Sequence, residues 1–368
     1  DYVTVREGAH MFYWLFYTTA NVSTYTERPL IVWLQGGPGG SSTGIGNFEI
    51  LGPLDLKLQE RNYTWVKNFN VLFVDNPVGT GFSYVDDLSL LTTTNDEIAL
   101  DFVELMKGFY RSNPEFEGVP LYIYGQSYGG KMAVDMALRM REAEQANEIR
   151  SNLKGIAMGN SWISPVDSTL TWGPLLLAAG LVDEQGYEKI QNEAREAERL
   201  FNEGKFVEST EQWAITQGAV FAATEAVDFY NIMTKMAVPY RPDTRNSYAL
   251  GIPEKVEWGS QSGYVFDYQN GDFMKPVTEG INLRISSPKN LDIIYYMPGQ
   301  LLWVDRLKWP GADAFKEAPR VPIWEDGRLE GYYKAHGNFR FFWINVAGHS
   351  VNNPAGANAF LRDMTSFG

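Results

Sequence analysis

Short apolar runs rich in β-branched and aromatic residues recur along the chain, at Leu30 to Trp33, Val71 to Val74, Leu121 to Tyr124, Gly155 to Met158, Leu283 to Ile285 and Phe341 to Val346. Longer helix-favouring stretches lie between them, including Asp96 to Phe109 and Lys131 to Glu144, long enough to close right-handed crossovers. Strand-like runs that alternate with helical ones predict a mostly parallel central sheet with flanking helices, an α/β fold.

From Val166 to Gly263 the rhythm changes to a long helix-favouring stretch that includes Glu184 to Leu200, followed by a Pro- and Gly-bearing segment from Pro239 to Gly263. This stretch is expected to be an inserted helical cap, which divides the chain into core (1–165), cap (166–263) and core (264–368). The alternative is an ordinary run of amphipathic helices whose charged face meets only solvent.

The strongest chemical signal is Gly125-Gln126-Ser127-Tyr128-Gly129, which follows one strand-like run and precedes a helix. Strand, tight turn and helix are the context in which a G-x-S-x-G element exposes a serine nucleophile, and the flanking residues must be small for the helix and strand to approach. A glycine-rich turn with a purely structural role is the rival reading. Serine needs a base, and the chain offers His10, His336 and His349. His349 follows the last apolar run, on a loop beyond a strand's C-terminal end, where α/β enzymes place their sites. His10 lies in the N-terminal segment and His336 in a polar stretch before the last strand, which suits surface or capping roles. The order Ser, acid, His is the one this fold uses, and Asp292 fits it, whereas Asp305 falls within a predicted helix.

Acyl transfer also needs donors for the oxyanion, worth about 3 kcal/mol each. Gln35-Gly36-Gly37-Pro38-Gly39-Gly40-Ser41-Ser42 follows the first apolar run directly, and the N–H groups of Gly37 and Tyr128 are the expected donors. A phosphate loop is disfavoured because no Gly-Lys-Ser/Thr ending follows, and a plain turn is the remaining alternative.

The formal charge of −14 argues against nucleic acid or anionic membrane as a partner. No run of about 18 apolar residues is present to span a bilayer. The first residues lack the basic-then-apolar order of a signal peptide, so the chain is expected to be a mature or truncated one. The chain has no cysteine, so redox usage is silent about compartment. Asn21-Val22-Ser23 and Asn62-Tyr63-Thr64 fit the N-glycosylation pattern and lend slight weight to a secreted protein.

Taken together, Trp33 to Ser42, Asp75-Asn76-Pro77-Val78-Gly79-Thr80-Gly81-Phe82-Ser83, the Ser127 elbow, Gly159-Asn160-Ser161-Trp162-Ile163-Ser164-Pro165 and Gly348-His349 resemble the serine carboxypeptidases, an α/β-hydrolase family. Gln35, Gly40 where cysteine is usual, and Gly159 to Ser168 are most similar to the retinoid-inducible, vitellogenic-like group. The resemblance implies a secreted or lysosomal peptidase that removes single residues from peptides or small proteins with a free C-terminus, through an acyl-enzyme and without metal or cofactor. It implies the triad Ser127, Asp292 and His349, and it puts Gln35, the Gly36 backbone and Gln126 at the substrate's C-terminal carboxylate.

The chain departs from that pattern where the family usually carries a proton-sharing glutamate pair. Gln126 and Ile50 occupy those positions, with Glu49 one place out of register. A neutral amide donates at any pH, so substrate binding is expected to lose some of its acid dependence. The chain also looks shortened between Val277 and Gly280 and in the cap, which would open the cleft. An esterase or acyltransferase on the same scaffold, or a catalytically silent secreted binding protein, are the competing expectations.

Overall fold

The computed structural model describes residues 1–235, 274, 278, 281–288, 292–325, 327–345 and 349. The expected segment from Pro239 to Gly263, most of Val277 to Gly280, and Val346 and Gly348 lie outside the described residues. The strands are β1 (Tyr2–Arg6), β2 (Ala9–Phe16), β3 (Leu30–Leu34), β4 (Asn70–Val74), β5 (Tyr84–Val85), β6 (Leu121–Gln126), β7 (Leu153–Gly159), β8 (Asn282–Pro288), β9 (Val321–Glu325), β10 (Arg328–His336) and β11 (Phe339–Ile344). They form one sheet in the order β1-β2-β4-β3-β6-β7-β8-β11-β10-β9, with β5 paired to β2.

The centre, β4-β3-β6-β7-β8-β11, is parallel throughout. Strands β3, β4, β6 and β11 are largely apolar because both faces are covered, while β8 buries Arg284 and Ser286 among its apolar residues. In β3, Leu30, Val32 and Leu34 enter one core, while Ile31 and Trp33 enter the other. The first core is shared with α1 (Asn95–Ser112) and α2 (Tyr128–Gln145) through Ile98, Phe102, Met132 and Met136. The start of α1 is set by a capping box, in which the Thr94 hydroxyl accepts from the Glu97 N–H and the Glu97 carboxylate accepts from the Thr94 N–H.

Antiparallel additions that the hydrophobic pattern did not reveal extend both edges. β1 pairs with β2 and β2 with β4 and β5, while β9, β10 and β11 make a meander at the other side. His336, expected in a polar stretch before the last strand, ends β10 itself and is exposed. Most positions of this strand are partly exposed and it carries Glu330, Lys334 and His336 among its apolar residues, so it gives no continuous apolar run.

After β7 come α3 (Pro165–Leu170), α4 (Trp172–Ala178), α5 (Glu184–Asn202) and α6 (Phe206–Thr224). These helices have their own apolar cluster, with Trp172, Leu176, Ile190 and Val220 packed together with Phe229, Ile293, Ile294 and Tyr295. The helical layer is thus continuous with the turn that carries Asp292. Beyond it, α7 (Met297–Arg306) and α8 (Ala312–Glu317) precede the meander.

Candidate active site

Ser127 stands alone between the end of β6 and the start of α2, with φ 61° and ψ −126°. Side chains other than glycine rarely occupy such a conformation, and here the surroundings hold it from several directions. The Ser127 N–H donates to the Gly159 carbonyl at 2.9 Å, and its own carbonyl accepts from the N–H groups of Gly130 and Trp162, each at 3.1 Å. The turn closes only because Gly129 has no side chain, since a Cβ there would lie 2.3 Å from the Leu34 carbonyl oxygen.

Asp292 and His349 are 57 positions apart, yet His349 Nδ1 lies 3.0 Å from Asp292 Oδ2. Asp292 is 1% exposed, and its Oδ1 accepts from the Ile294 N–H at 3.1 Å. Burial pushes its carboxyl above the usual range, and the neighbouring His349 opposes that rise. The main chain of His349 is held as firmly as its ring. Its N–H donates to the Tyr230 carbonyl at 3.0 Å, and its carbonyl accepts from Gln126 Nε2 at 2.9 Å and from Asn160 Nδ2.

The glycine-rich loop faces the same place. A Cβ on Gly36 would fall 2.4 Å from Ser127 Cβ, so the loop backbone presses directly on Ser127. Gly37 is exposed with φ +123°, and the Gly40 N–H returns to the Gly36 carbonyl at 2.8 Å. Tyr128 is the first residue of α2, where helical N–H groups lack partners within the helix. Its side-chain hydroxyl donates to Asn95 Oδ1 at 2.9 Å. Gln35 Nε2 donates to Gln126 Oε1 at 3.0 Å, and Trp33 Nε1 donates to Gln35 Oε1 at 3.1 Å. Trp33, Gln35 and Gln126 thus form a chain of donors that ends on the His349 carbonyl.

The structure therefore gathers Gln35, Gly36, Gln126, Ser127, Asp292 and His349 into one region. His10 lies elsewhere, on β2, with Nδ1 3.0 Å from Thr4 Oγ1 and its ring stacked on Tyr84. Asp305 is exposed on α7. Glu49 is exposed, while Ile50 packs partly buried against the cluster of Trp33 and Tyr124. Asn21 and Asn62 are both exposed.

Two residues at the site were not among the expected site residues, although Asn160 lies in the Gly159 to Pro165 segment that carries the family resemblance. Asn160 supports His349 from the end of β7. Tyr295, 3% exposed, places its hydroxyl 2.7 Å from Ser127 Oγ, and burial pushes its phenol well above the usual value, so it is a neutral hydroxyl. Its only sequence signal is proximity to Asp292.

A largely parallel sheet, a serine at a strained strand-to-helix elbow and a later Asp–His pair define an α/β-hydrolase. The Kex1 prohormone-processing carboxypeptidase of Saccharomyces cerevisiae shares the fold with a TM-score of 0.79 at 20% identity, over 100% of this chain and 90% of that one. The chain belongs to the serine carboxypeptidase family, whose model matches residues 1–366. It is 39% identical to the mouse retinoid-inducible serine carboxypeptidase, over 98% of this chain and 89% of that protein. Serine carboxypeptidase-like 51 of Arabidopsis thaliana is 33% identical, over 99% of this chain and 91% of that protein. Among the described residues no helix is long and apolar enough to cross a membrane.

Proposed function

We propose that this protein is a serine-type carboxypeptidase that releases the C-terminal residue of peptides and small proteins. Ser127 Oγ attacks the scissile carbonyl carbon and passes its proton to His349, which returns it to the departing amine. Water then hydrolyses the acyl-enzyme with His349 as base. Asp292 holds the imidazole with Nδ1 towards it and offsets the positive charge that forms. The N–H groups of Gly37 and Tyr128 receive the oxyanion. The observation that carries this reading is the 3.0 Å Asp292–His349 contact, held by the same Gln126 side chain that immediately precedes the strained Ser127.

Gln35, Gln126 and the Gly36 backbone are the group assigned to the substrate's terminal carboxylate. Because both amides are neutral, binding through them carries no carboxyl titration of its own. Helices from the 166–263 segment cover the site as a cap, and the secretory or lysosomal route is the expected location, with Asn21 and Asn62 as glycan acceptors. The test is release of the terminal amino acid from an N-blocked dipeptide between about pH 4 and pH 8, the span of the Glu and His titrations. Release that disappears in Ser127→Ala, with a KM nearly level across this span, is expected. A steep rise of KM from about pH 5 to pH 7 would overturn the neutral-amide reading.

One observation favours a second reading, an esterase or acyltransferase on the same scaffold. Gln126 already donates to the His349 carbonyl, and Ile50 packs into a core where the family usually has an acid. Turnover of N-blocked amino-acid esters with none of the corresponding free-acid dipeptides would select it.

A further inference from the structure

Ser127 Oγ has its hydrogen bond with the Tyr295 hydroxyl at 2.7 Å, and among the described residues it has none with His349. The Nδ1 side of that imidazole is held by Asp292. The Tyr295 ring lies stacked on the His349 imidazole, with centroids 4.9 Å apart and planes 21° from parallel. Its other side meets Trp162 edge to face at 5.1 Å, and Trp162 in turn meets Trp213 of α6 at 5.8 Å. One tyrosine therefore bonds to the Ser127 hydroxyl through its own hydroxyl while its ring packs on the His349 imidazole, and an aromatic path joins it to the helices after β7.

The turn that builds the Asp–His pair also delivers this wedge. Asp292 Oδ1 takes the Ile294 N–H, which bends the chain so that Tyr295, three residues on, folds back over His349. Ile293 and Ile294 anchor the same turn in the helical layer. A phenol in this position competes with the imidazole for the Ser127 hydroxyl, and general-base catalysis needs the serine within hydrogen-bond reach of the imidazole.

We propose that Tyr295 is a gate, a positioning residue whose hydroxyl holds Ser127 away from His349 in the unliganded enzyme and which an entering substrate displaces. The proposal rests on Ser127 as nucleophile and His349 as base. Its energetic scale is that of one neutral hydrogen bond, so removing the hydroxyl is expected to speed attack about fivefold. The ring of Tyr295→Phe keeps the contacts with His349 and Trp162, and the bond to Ser127 is lost.

The experiment follows the rate at which a small alkyl fluorophosphonate labels Ser127. Ser127 Oγ forms the bond to phosphorus, fluoride leaves, and the hydroxyl proton goes to His349. This probe has no peptide side chains with which to press on Trp162 and Tyr295. Labelling about fivefold faster in Tyr295→Phe than in the wild type is expected, with a smaller gain in dipeptide turnover because substrate already opens the gate. Slower labelling would make the hydroxyl a donor to the reacting group and overturn the gate, and an equal rate would also overturn it. A folded wild type that takes no label sinks the nucleophile assignment and the gate with it. Should Tyr295→Phe not fold, a crystal structure of the wild-type phosphonyl adduct decides. The Tyr295 hydroxyl is expected to have left Ser127 Oγ, and a hydroxyl still bonded to the adduct overturns the proposal.

Discussion

Gly36 shows how much of this site depends on a missing side chain. Its backbone approaches Ser127 so closely that a single methyl group would sit 2.4 Å from the nucleophile's Cβ. Gly36→Ala is expected to lower kcat/KM about 100-fold, the cost of misplacing a reacting group by about 1 Å. Because Gly36 is buried and the methyl group would also lie 2.8 Å from the Gln126 carbonyl oxygen, a lower melting temperature is expected beside the loss of activity. Asp292 makes the opposite case, in which charge matters more than shape. Its raised pKa means that the ionised form is penalised by folding, and that the stability contributed by the neutral form is lost as pH rises through the folded value. Asp292→Asn is therefore expected to keep or raise the melting temperature at neutral pH while kcat falls about 10⁴-fold. A large fall in melting temperature would show that the Asp292–His349 pair holds the fold as well as orienting the imidazole.

At the scale of elements, the site depends on how the glycine-rich loop is tied down. Asp75, at the end of β4 and 0% exposed, accepts from Ser41 Oγ, from the N–H and hydroxyl of Thr43, and from the Phe82 N–H, at 2.7–3.0 Å. The carboxylate thereby links the loop after β3, the π-helical segment Ser42–Leu51 that continues it, and the glycine-bearing stretch before β5. Asp75→Asn replaces an acceptor with a donor facing donors, and should destabilise the fold by about 2 kcal/mol. It is also expected to raise KM, because Gln35 and Gly36 lie on the loop it holds. Unfolding midpoints together with steady-state kinetics check both. Most of the parallel strands were legible in the sequence because burial on both faces selects apolar runs, whereas β8 carries the buried polar residues Asn282, Arg284 and Ser286. β1, β2, β9 and β10 were not, since partly exposed positions in these antiparallel strands dilute the apolar signal.

The whole molecule carries a charge of −14, and several of its carboxyls are buried. Burial raises Asp101, pushes Asp135 up to about 7 beside the buried Lys131, and raises Asp292. Each favours folding when protonated, so stability is gained as pH falls from about 8 through 7 towards the ordinary carboxyl range. Lys131 is lowered to about 8, and the stability its neutral form provides is already lost below that pH. Glu97 and Glu203 are lowered by hydrogen bonds or ion pairs, and their contribution disappears as pH falls through their depressed values. The melting temperature is therefore expected to be at least about 3 °C higher near pH 5 than near pH 8, with a decline only in stronger acid. Calorimetry across that range tests this, and a maximum above pH 7 would contradict it.

Ser127, Asp292 and His349 could be nominated from the sequence because each chemistry has few candidate residues in a chain with three histidines, and because a glycine pattern betrays a tight turn. Local rules of that kind act over a handful of positions. They pointed to the parallel centre, the elbow and the order of the proposed triad residues. They did not disclose that Gln126 supports His349 through its backbone carbonyl, or that Tyr295 bonds to Ser127 across 168 positions. Such contacts arise when separate strands and helices pack into one body, and a side chain's partner across a packed interior depends on the distance and direction of every element between them. The sequence alone determined what chemistry was at hand, and only the tertiary structure decided which groups meet around Ser127 and His349.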